Sequence, residues 1–337
     1  MGLVIVIGII IVIILLITFL LFWYELSKPP PEGGSPYRLP NGLEIQHWQA
    51  GETDFLYTEI WGSESAYSRG GLIFRPGALI LDVGANIGMF SLFAGEKCGG
   101  SARIVSFEPI PTTYSVLQAN AKAANTRSAG SLNITAINAG LSSTPATVVF
   151  EHHPHFSVWS TSDASFAESR LKRIIDDIPR ALDSNPSWLV RVCFPRILAR
   201  ALASLVLRRK VGLTENVPVK LVTLSSVLDD LQLGEQDIDF LKIDVEGHEL
   251  DVLKGIRSDH WSRVQQTALE VENFKFRDEV ISILEGHGFR TSWFASERER
   301  NPGVHSEVRR RPYPRPHPLS FSSPHSLTNI FTHPRHE

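Results

Sequence analysis

Leu79-Ile80-Leu81-Asp82-Val83-Gly84-Ala85-Asn86-Ile87-Gly88-Met89-Phe90 decides how the rest of the chain is read. An aliphatic run reaches Asp82, Gly84 and Gly88 bracket a tight turn, and an apolar helical pattern begins. The pattern predicts a buried parallel strand that delivers the chain into a glycine-rich loop and a helix N-terminus. Lacking Cβ atoms, Gly84 and Gly88 let the backbone bend sharply and let a flat ligand lie against it. The helix start offers unpaired N–H groups to a negative or polar group. The spacing is G-x-x-x-G, neither G-x-G-x-x-G nor G-x-x-x-x-G-K-S/T. That excludes a phosphate-cradling P-loop and disfavours a dinucleotide site.

Ala102 to Phe107 reads as a second buried strand with Glu108 at its carboxyl end. An acidic residue about 20 positions after such a loop is placed to accept hydrogen bonds from ribose hydroxyls. Glu108 is equally placed to cap the helix starting near Thr112. Together with Asp82 and the loop, ribose binding is the favoured reading.

Three blocks in order carry a family resemblance: Leu81 to Phe90, then Val105-Ser-Phe-Glu-Pro109, then Phe240-Leu-Lys-Ile-Asp-Val-Glu-Gly-His-Glu249. Together they resemble the FkbM-type S-adenosylmethionine methyltransferases, from Leu79 to Thr332 with a long insertion. The resemblance implies a class I methyltransferase fold: a mostly parallel seven-stranded α/β sheet with helices on both faces. It implies O-methylation with S-adenosylmethionine as donor and a hydroxyl of a small molecule, lipid or sugar as acceptor. The cofactor site is then expected at Asp82, Gly84, Ala85, Asn86, Gly88, Glu108 and Asn138. The region before the glycine loop covers the cofactor in such enzymes.

The 337 residues allow one large or two modest domains, and the net charge of -3 gives no support to a nucleic-acid partner. Cys98 and Cys193 form no metal-type pair and no disulfide framework. Leu3 to Trp23 is almost wholly Val, Ile, Leu and Phe, uncharged, and long enough to span about 30 Å of hydrocarbon. Trp23 and Tyr24 end it as interfacial aromatics do. A cleaved signal peptide has an apolar core of about 7–15 residues followed by small residues, and neither is present. Residues 1–26 are therefore read as an uncleaved single-pass anchor. Only the terminal amine precedes the span, whereas Lys28 and Arg38 follow it, a bias toward a cytosolic catalytic domain. The sequon Asn133-Ile134-Thr135 falls in an expected buried strand and does not settle the side.

Residues 27–42, with Pro29-Pro30-Pro31 and Gly33-Gly34, read as a semi-rigid spacer. Leu43 to Phe74 carries Trp48, Phe55, Tyr57, Trp61 and Tyr67 at loose spacing, as a packed helix or hairpin would. The methyltransferase domain is expected over 43–337. Helices near Ile87–Lys97 and Thr112–Ala124 alternate with strands Ala102–Phe107 and Leu132–Asn138, which predicts a parallel sheet. Asn138 ends the third strand, where it either reads an adenine edge or starts a turn. Thr147 to Glu151 extends as a short strand. His152, His153 and His155 lack an accompanying acid or cysteine at ligand spacing and read as a solvated loop rather than a metal site.

From Phe156 to Val217 the chain departs from the family pattern. Ala164–Leu182 and Leu189–Lys210 look helical. The second is basic and suits a lid or packed helix better than a membrane-surface helix, because Pro195 breaks its register. The pattern resumes at Lys220, a strand leading into a short helix. Ile238–Asp244 is expected as the fourth core strand, beside the glycine strand at the topological switch point. Asp244, Glu246 and His248 follow in one loop before a helix Glu249–Ile256. Methyl transfer to a hydroxyl needs both partners held in line and the proton removed. His248, with an ordinary pKa near 6.5, suits the base. Asp244 or Glu246 would orient it, hold substrate or face the positive sulfonium. Glu246, Glu249 and Asp251 also complement the dipole of that helix start. No metal is implied, since Val252 stands where H-E-x-x-H needs its second histidine. Gln265–Glu272, Phe276–Glu285 and Phe289–Phe294 read as strand, helix and strand. Residues 297–326 read as a Pro/Arg-rich excursion, and Leu327–Thr332 as a closing strand. Two rivals remain: a catalytically degenerate, membrane-tethered binding module of the same fold, and an NAD(P)-dependent reductase that the missing G-x-G-x-x-G weakens.

Overall fold

The computed structural model describes residues 33–62, 72–153, 214–231, 236–271, 274–295 and 328–333, with isolated positions 65, 67, 172, 175, 204, 205 and 208. The expected anchor Leu3–Trp23, the closing excursion 297–326 and nearly all of the insertion lie outside these residues. Among the described residues no helix is long and apolar enough to cross a membrane. The chain divides into two compact units: Pro36–Gln46, Thr53–Val148 and Val219–Glu337 in one, Met1–Ser35, His47–Glu52 and Val149–Pro218 in the other.

The larger unit is organised by β3 (Ala78–Val83), whose six residues are all buried. A strand covered on both faces needs a continuous apolar run rather than alternation, and Ala-Leu-Ile-Leu-Asp-Val supplies it, with one acid. In chain order come β1 (Ser35–Arg38), β2 (Glu44–His47), α1 (Ala50–Trp61) and β3, then α2 (Met89–Lys97), β4 (Ala102–Phe107), α3 (Pro111–Arg127) and β5 (Leu132–Ile137). After β6 (Gly140–Leu141) and β7 (Ala146–His152) follow β8 (Glu215–Val222), α4 (Leu224–Asp230), β9 (Phe240–Ile243), α5 (Glu249–Lys254) and α6 (Ser258–Trp261). The chain closes with β10 (Thr267–Val271), α7 (Arg277–Gly286), β11 (Arg290–Ala295) and β12 (Thr328–His333). β1 and β2 form a two-stranded ribbon, so β1 begins inside the stretch read as spacer.

Seven strands make the central sheet, in the order β11-β12-β10-β9-β3-β4-β5. β9, β3, β4, β5 and β10 run parallel. β12 runs antiparallel between β10 and β11, its Thr332 hydroxyl taking the Thr267 N–H at 2.6 Å. From β3 the chain steps through β4 to β5, whereas β9 steps to β10 on the other side. Crossovers of one hand then place α2 and α3 on one face and α5 and α6 on the other. The reversal falls between β3 and β9, paired from Ile80–Phe240 to Val83–Ile243. Ligands of open α/β sheets bind outside the carboxyl ends of the strands at such a point.

α2 follows the glycine loop and buries every residue from Met89 to Gly95. α3 starts on Pro111, whose missing N–H costs nothing in a first turn. α4 is capped by the Thr223 hydroxyl, which accepts the Ser226 N–H at 3.1 Å. Leu81, Val83, Phe107, Leu241, Ile243, Leu253 and Trp261 belong to one continuous core. Asn120, buried on α3, clamps two segments to that helix. Its amide donates to the carbonyls of Gln46 and Ile87, and its Oδ1 accepts the Gln46 N–H at 2.7 Å.

In the smaller unit, His152 and His153 are 1% and 2% exposed, which corrects their reading as a solvated loop. β7 runs on through His152, so the histidines end a strand, and the His152 ring lies 6.0 Å from that of Trp48. Burial, helped by His153, pulls the His152 pKa down to about 4. Among the described residues no group of three His, Cys, Asp or Glu side chains is placed to hold a metal ion.

Candidate active site

Two loops meet at the carboxyl ends of β3 and β9. The first is the glycine loop. Gly84 has φ +76, Asn86 +51 and Gly88 +91, so three of its five residues are left-handed. The N–H groups of Gly84 and Ala85 donate to the Phe107 carbonyl, at 3.1 and 2.8 Å. That of Asn86 donates to Glu108 Oε2, that of Ile87 to Asn86 Oδ1, and that of Gly88 to the Ala85 carbonyl. All five loop amides are thus bonded within the protein, the opposite of a phosphate cradle, whose amides point at the ligand.

Gly84 is glycine for a reason the sequence did not disclose. A Cβ built on it would lie 1.7 Å from the carbonyl oxygen of Asp244. The position that looked reserved for a ligand is occupied by the neighbouring loop's backbone.

Glu108 is 6% exposed and joins the glycine loop to the start of α3. Oε2 accepts the Asn86 N–H at 3.1 Å and Oε1 the Ile110 N–H at 2.9 Å. Burial raises its pKa to about 7, against the pull of the two amides and Lys242. The bond to Ile110 reaches the N-cap residue itself and no first-turn amide, so Glu108 does not cap the helix; a carboxylate has about four lone-pair directions, and the two amides use half of them. Asn138 sits beside it, its amide donating to the carbonyls of Glu108 and Pro109 at 2.9 and 3.0 Å. The Asn138 side chain thereby ties the ends of β4 and β5 together.

Asp82 is fully buried beneath the loop rather than presented at its rim. Ser91 Oγ donates to it at 2.6 Å and is itself 2.7 Å from Ser106 Oγ. Lys242 stands 3.4 Å from the other Asp82 oxygen. This lysine, 4% exposed, also donates to the Gly84 carbonyl at 2.9 Å and pairs with Asp244 at 3.2 Å. Burial opposes its charge, but Asp244 and Asp82 outweigh that and raise its pKa. Sequence reasoning passed over Lys242. The available signal was a single lysine inside the otherwise apolar strand Phe-Leu-Lys-Ile, all four residues of which are buried.

The second loop carries Asp244, Glu246 and His248. Glu246 and Gly247 have φ +55 and +98, which turns the chain sharply into α5. Asp244 donates its N–H to the Val83 carbonyl at 3.0 Å, and its carboxylate is about a third exposed. His248 is the N-cap residue of α5, half-exposed, with Nδ1 3.6 Å from Asp251. Asp251 is a further carboxylate beside the imidazole, at ion-pair distance and not at hydrogen-bond distance. Glu249 was read only as a helix-start charge, yet it is 1% exposed and accepts the Gly247 N–H at 2.8 Å. Burial lifts its pKa to about 7, against the amides of Gly247, Glu249 and Val245. It folds the acidic loop around itself.

A parallel sheet with one antiparallel strand, a glycine loop and an acidic loop facing each other across the switch point define an α/β methyltransferase-like fold. The chain belongs to the FkbM methyltransferase family: the family described as Methyltransferase FkbM domain matches residues 82–291. It is 34% identical over 259 residues to the 31-O-demethyl-FK506 methyltransferase FkbM of Streptomyces tacrolimicus, covering 75% of this chain and 87% of that one. It is 30% identical over 245 residues to the methyltransferase sdnD of Sordaria araneosa, covering 71% and 82%. The solved structure of a methyltransferase FkbM from Methylobacillus flagellatus KT aligns over 80% of this chain and 46% of that one, at a TM-score of 0.44 and 14% identity. The protein is a methyltransferase.

Proposed function

We propose that the protein transfers the methyl group of S-adenosylmethionine to a hydroxyl of a small molecule, lipid or sugar, tethered to a membrane through residues 1–26. The observation that carries the reading is the meeting of the glycine loop and the Asp244–His248 loop at the switch point, with Glu108 one strand away. Glu108 retains acceptor capacity toward ribose hydroxyls after its two amide bonds, and the exposed part of Asp244 gives a carboxylate to a cationic donor, so the residues present fit that cofactor. When bound, S-adenosylmethionine supplies an electrophilic methyl on a positively charged sulfur. The chain's own contribution is to hold donor and acceptor in line and to take the hydroxyl proton on His248 Nε2, with Nδ1 turned toward Asp251. The apolar span Leu3–Trp23 supports the tether, and the charge bias around it supports a cytosolic catalytic domain.

Calorimetry of the full chain in mild detergent tests the donor. Binding of S-adenosylmethionine and S-adenosylhomocysteine but not NAD(P)H is the expected result, and binding of NAD(P)H alone would overturn it. Incubation with methyl-labelled donor and separate lipid, sugar and small-molecule extracts then tests transfer. Label is expected in an alkali-stable methyl ether, whereas tight donor binding with no labelled product in any extract would favour the degenerate binding module.

A further inference from the structure

We infer that Lys242 is a positioning residue that locks the donor loop to the acceptor loop and acts on the donor through Asp244. The ammonium is held by one hydrogen bond, to a backbone carbonyl, and by two carboxylates at ion-pair distance. These partners are the Gly84 carbonyl at 2.9 Å, Asp244 at 3.2 Å and Asp82 at 3.4 Å. One belongs to the glycine loop, one to the acidic loop and one to β3, the strand that leads into the glycine loop. The lysine is 4% exposed, and its ammonium also lies 5.9 Å from the centre of the Phe90 ring at the start of α2. An ammonium withdrawn from water persists only where opposite charge and hydrogen bonds replace its hydration. The arrangement is sensitive to both loops, because moving either one removes a partner from a buried charge.

The network extends further. Asp82 is bonded to Ser91, and Ser91 to Ser106, which lies two residues before Glu108. A continuous polar chain therefore runs beneath the site from the ribose side at β4, through α2 and β3, to Asp244 on the acceptor side. Gly84 and Asp244 are also in backbone contact, so the lysine bridges two segments that cannot shift independently. Asp244 is held with its carboxylate facing Lys242 on one side and partly open to solvent on the other.

The inference rests on the donor reading, and its test separates the two. Affinity of the full chain for S-adenosylmethionine is measured for wild type, Lys242→Met, Asp244→Asn and the double variant. Acting through Asp244, each single substitution weakens binding about tenfold, and the double variant is no weaker than Lys242→Met alone. Effects that multiply to about a hundredfold would reduce Lys242 to a structural residue, as would an unchanged affinity in Lys242→Met. Because Lys242→Met strands Asp82 as a buried charge, the same cycle is run in an Asp82→Asn background, where that charge is absent. Without donor, amide exchange is followed in Lys242→Met/Asp82→Asn. Faster exchange at Asn86 and Gly247 together is expected, and a change confined to one loop would refute the lock. A wild-type protein that fails to bind S-adenosylmethionine sinks the donor assignment, while the exchange measurement still decides the lock.

Discussion

Replacing Gly84 by Ala is the sharpest perturbation available, because the structure assigns its cost to the fold and not to a ligand. The added Cβ would stand 1.7 Å from the Asp244 carbonyl oxygen, about half an ordinary van der Waals separation. The Cβ has no torsion of its own and its neighbour is backbone, so no side-chain rotation relieves the contact. Either β3 or β9 must move by more than an ångström at its end, which breaks the Asp244 N–H bond to Val83 and the Lys242 bond to Gly84. A left-handed φ of +76 adds about 1 kcal/mol for a residue with a side chain. Two lost hydrogen bonds add about 1 kcal/mol each, and the steric displacement comes on top. The total lies at about 3–5 kcal/mol, in the range where single substitutions point to one identifiable defect. Chemical denaturation of the donor-free protein reads it directly. A Gly84→Ala protein of wild-type stability that has lost only donor affinity would refute the reasoning and restore the ligand as the reason for this glycine.

Three further outcomes are expected. Glu108 and Glu249 both have folded-state pKa values of about 7, above the ordinary 4.5, so the folded protein binds more protons than the unfolded chain between those values. Stability contributed by them is full below about pH 4.5, falls as pH rises and levels off above about 7, by at most about 3 kcal/mol per carboxylate. Urea titrations across that window should flatten in Glu108→Gln and in Glu249→Gln, and a pH-independent wild type would contradict both burials. His248→Ala should leave donor affinity nearly unchanged while the rate falls about 10²–10⁴-fold, and wild-type turnover across pH 6–9 would make it a helix-start residue only. Deleting residues 1–26 should move the protein to the soluble fraction, and release of the intact chain by alkaline carbonate would end the membrane-spanning proposal.

Much of the sheet was legible because its information is local. The run Ala78–Val83 is buried on both faces, and only an uninterrupted aliphatic stretch reads that way. β4, β5 and β10 to β12 were placed within a few residues of their ends, β12 because the family resemblance requires a closing strand there. The ends themselves shifted. Ile238 pairs only as a bridge to Val264, so the regular strand starts at Phe240, and the two-residue β6 after Asn138 was missed. A single bridge or a two-residue strand carries no periodicity to read.

The sequence by itself determined the succession of strands and helices along the chain and the two loops, because period and glycine spacing are written residue by residue, while the sheet's arrangement around the switch point followed from the family resemblance. Only the tertiary structure decided what those residues face. Gly84 is required by the carbonyl of a residue in a loop far along the chain, and Lys242 bonds a carbonyl 158 positions away. Asp82 turned inward to Ser91 and Lys242, Glu249 was buried while its neighbour Asp251 stayed half-exposed beside His248, and two histidines read as solvated were enclosed. None of these differences has a local signature. Two carboxylates in one helix turn look alike until long-range packing removes water from one, and that loss of water sets its charge, its partners and its part in the site.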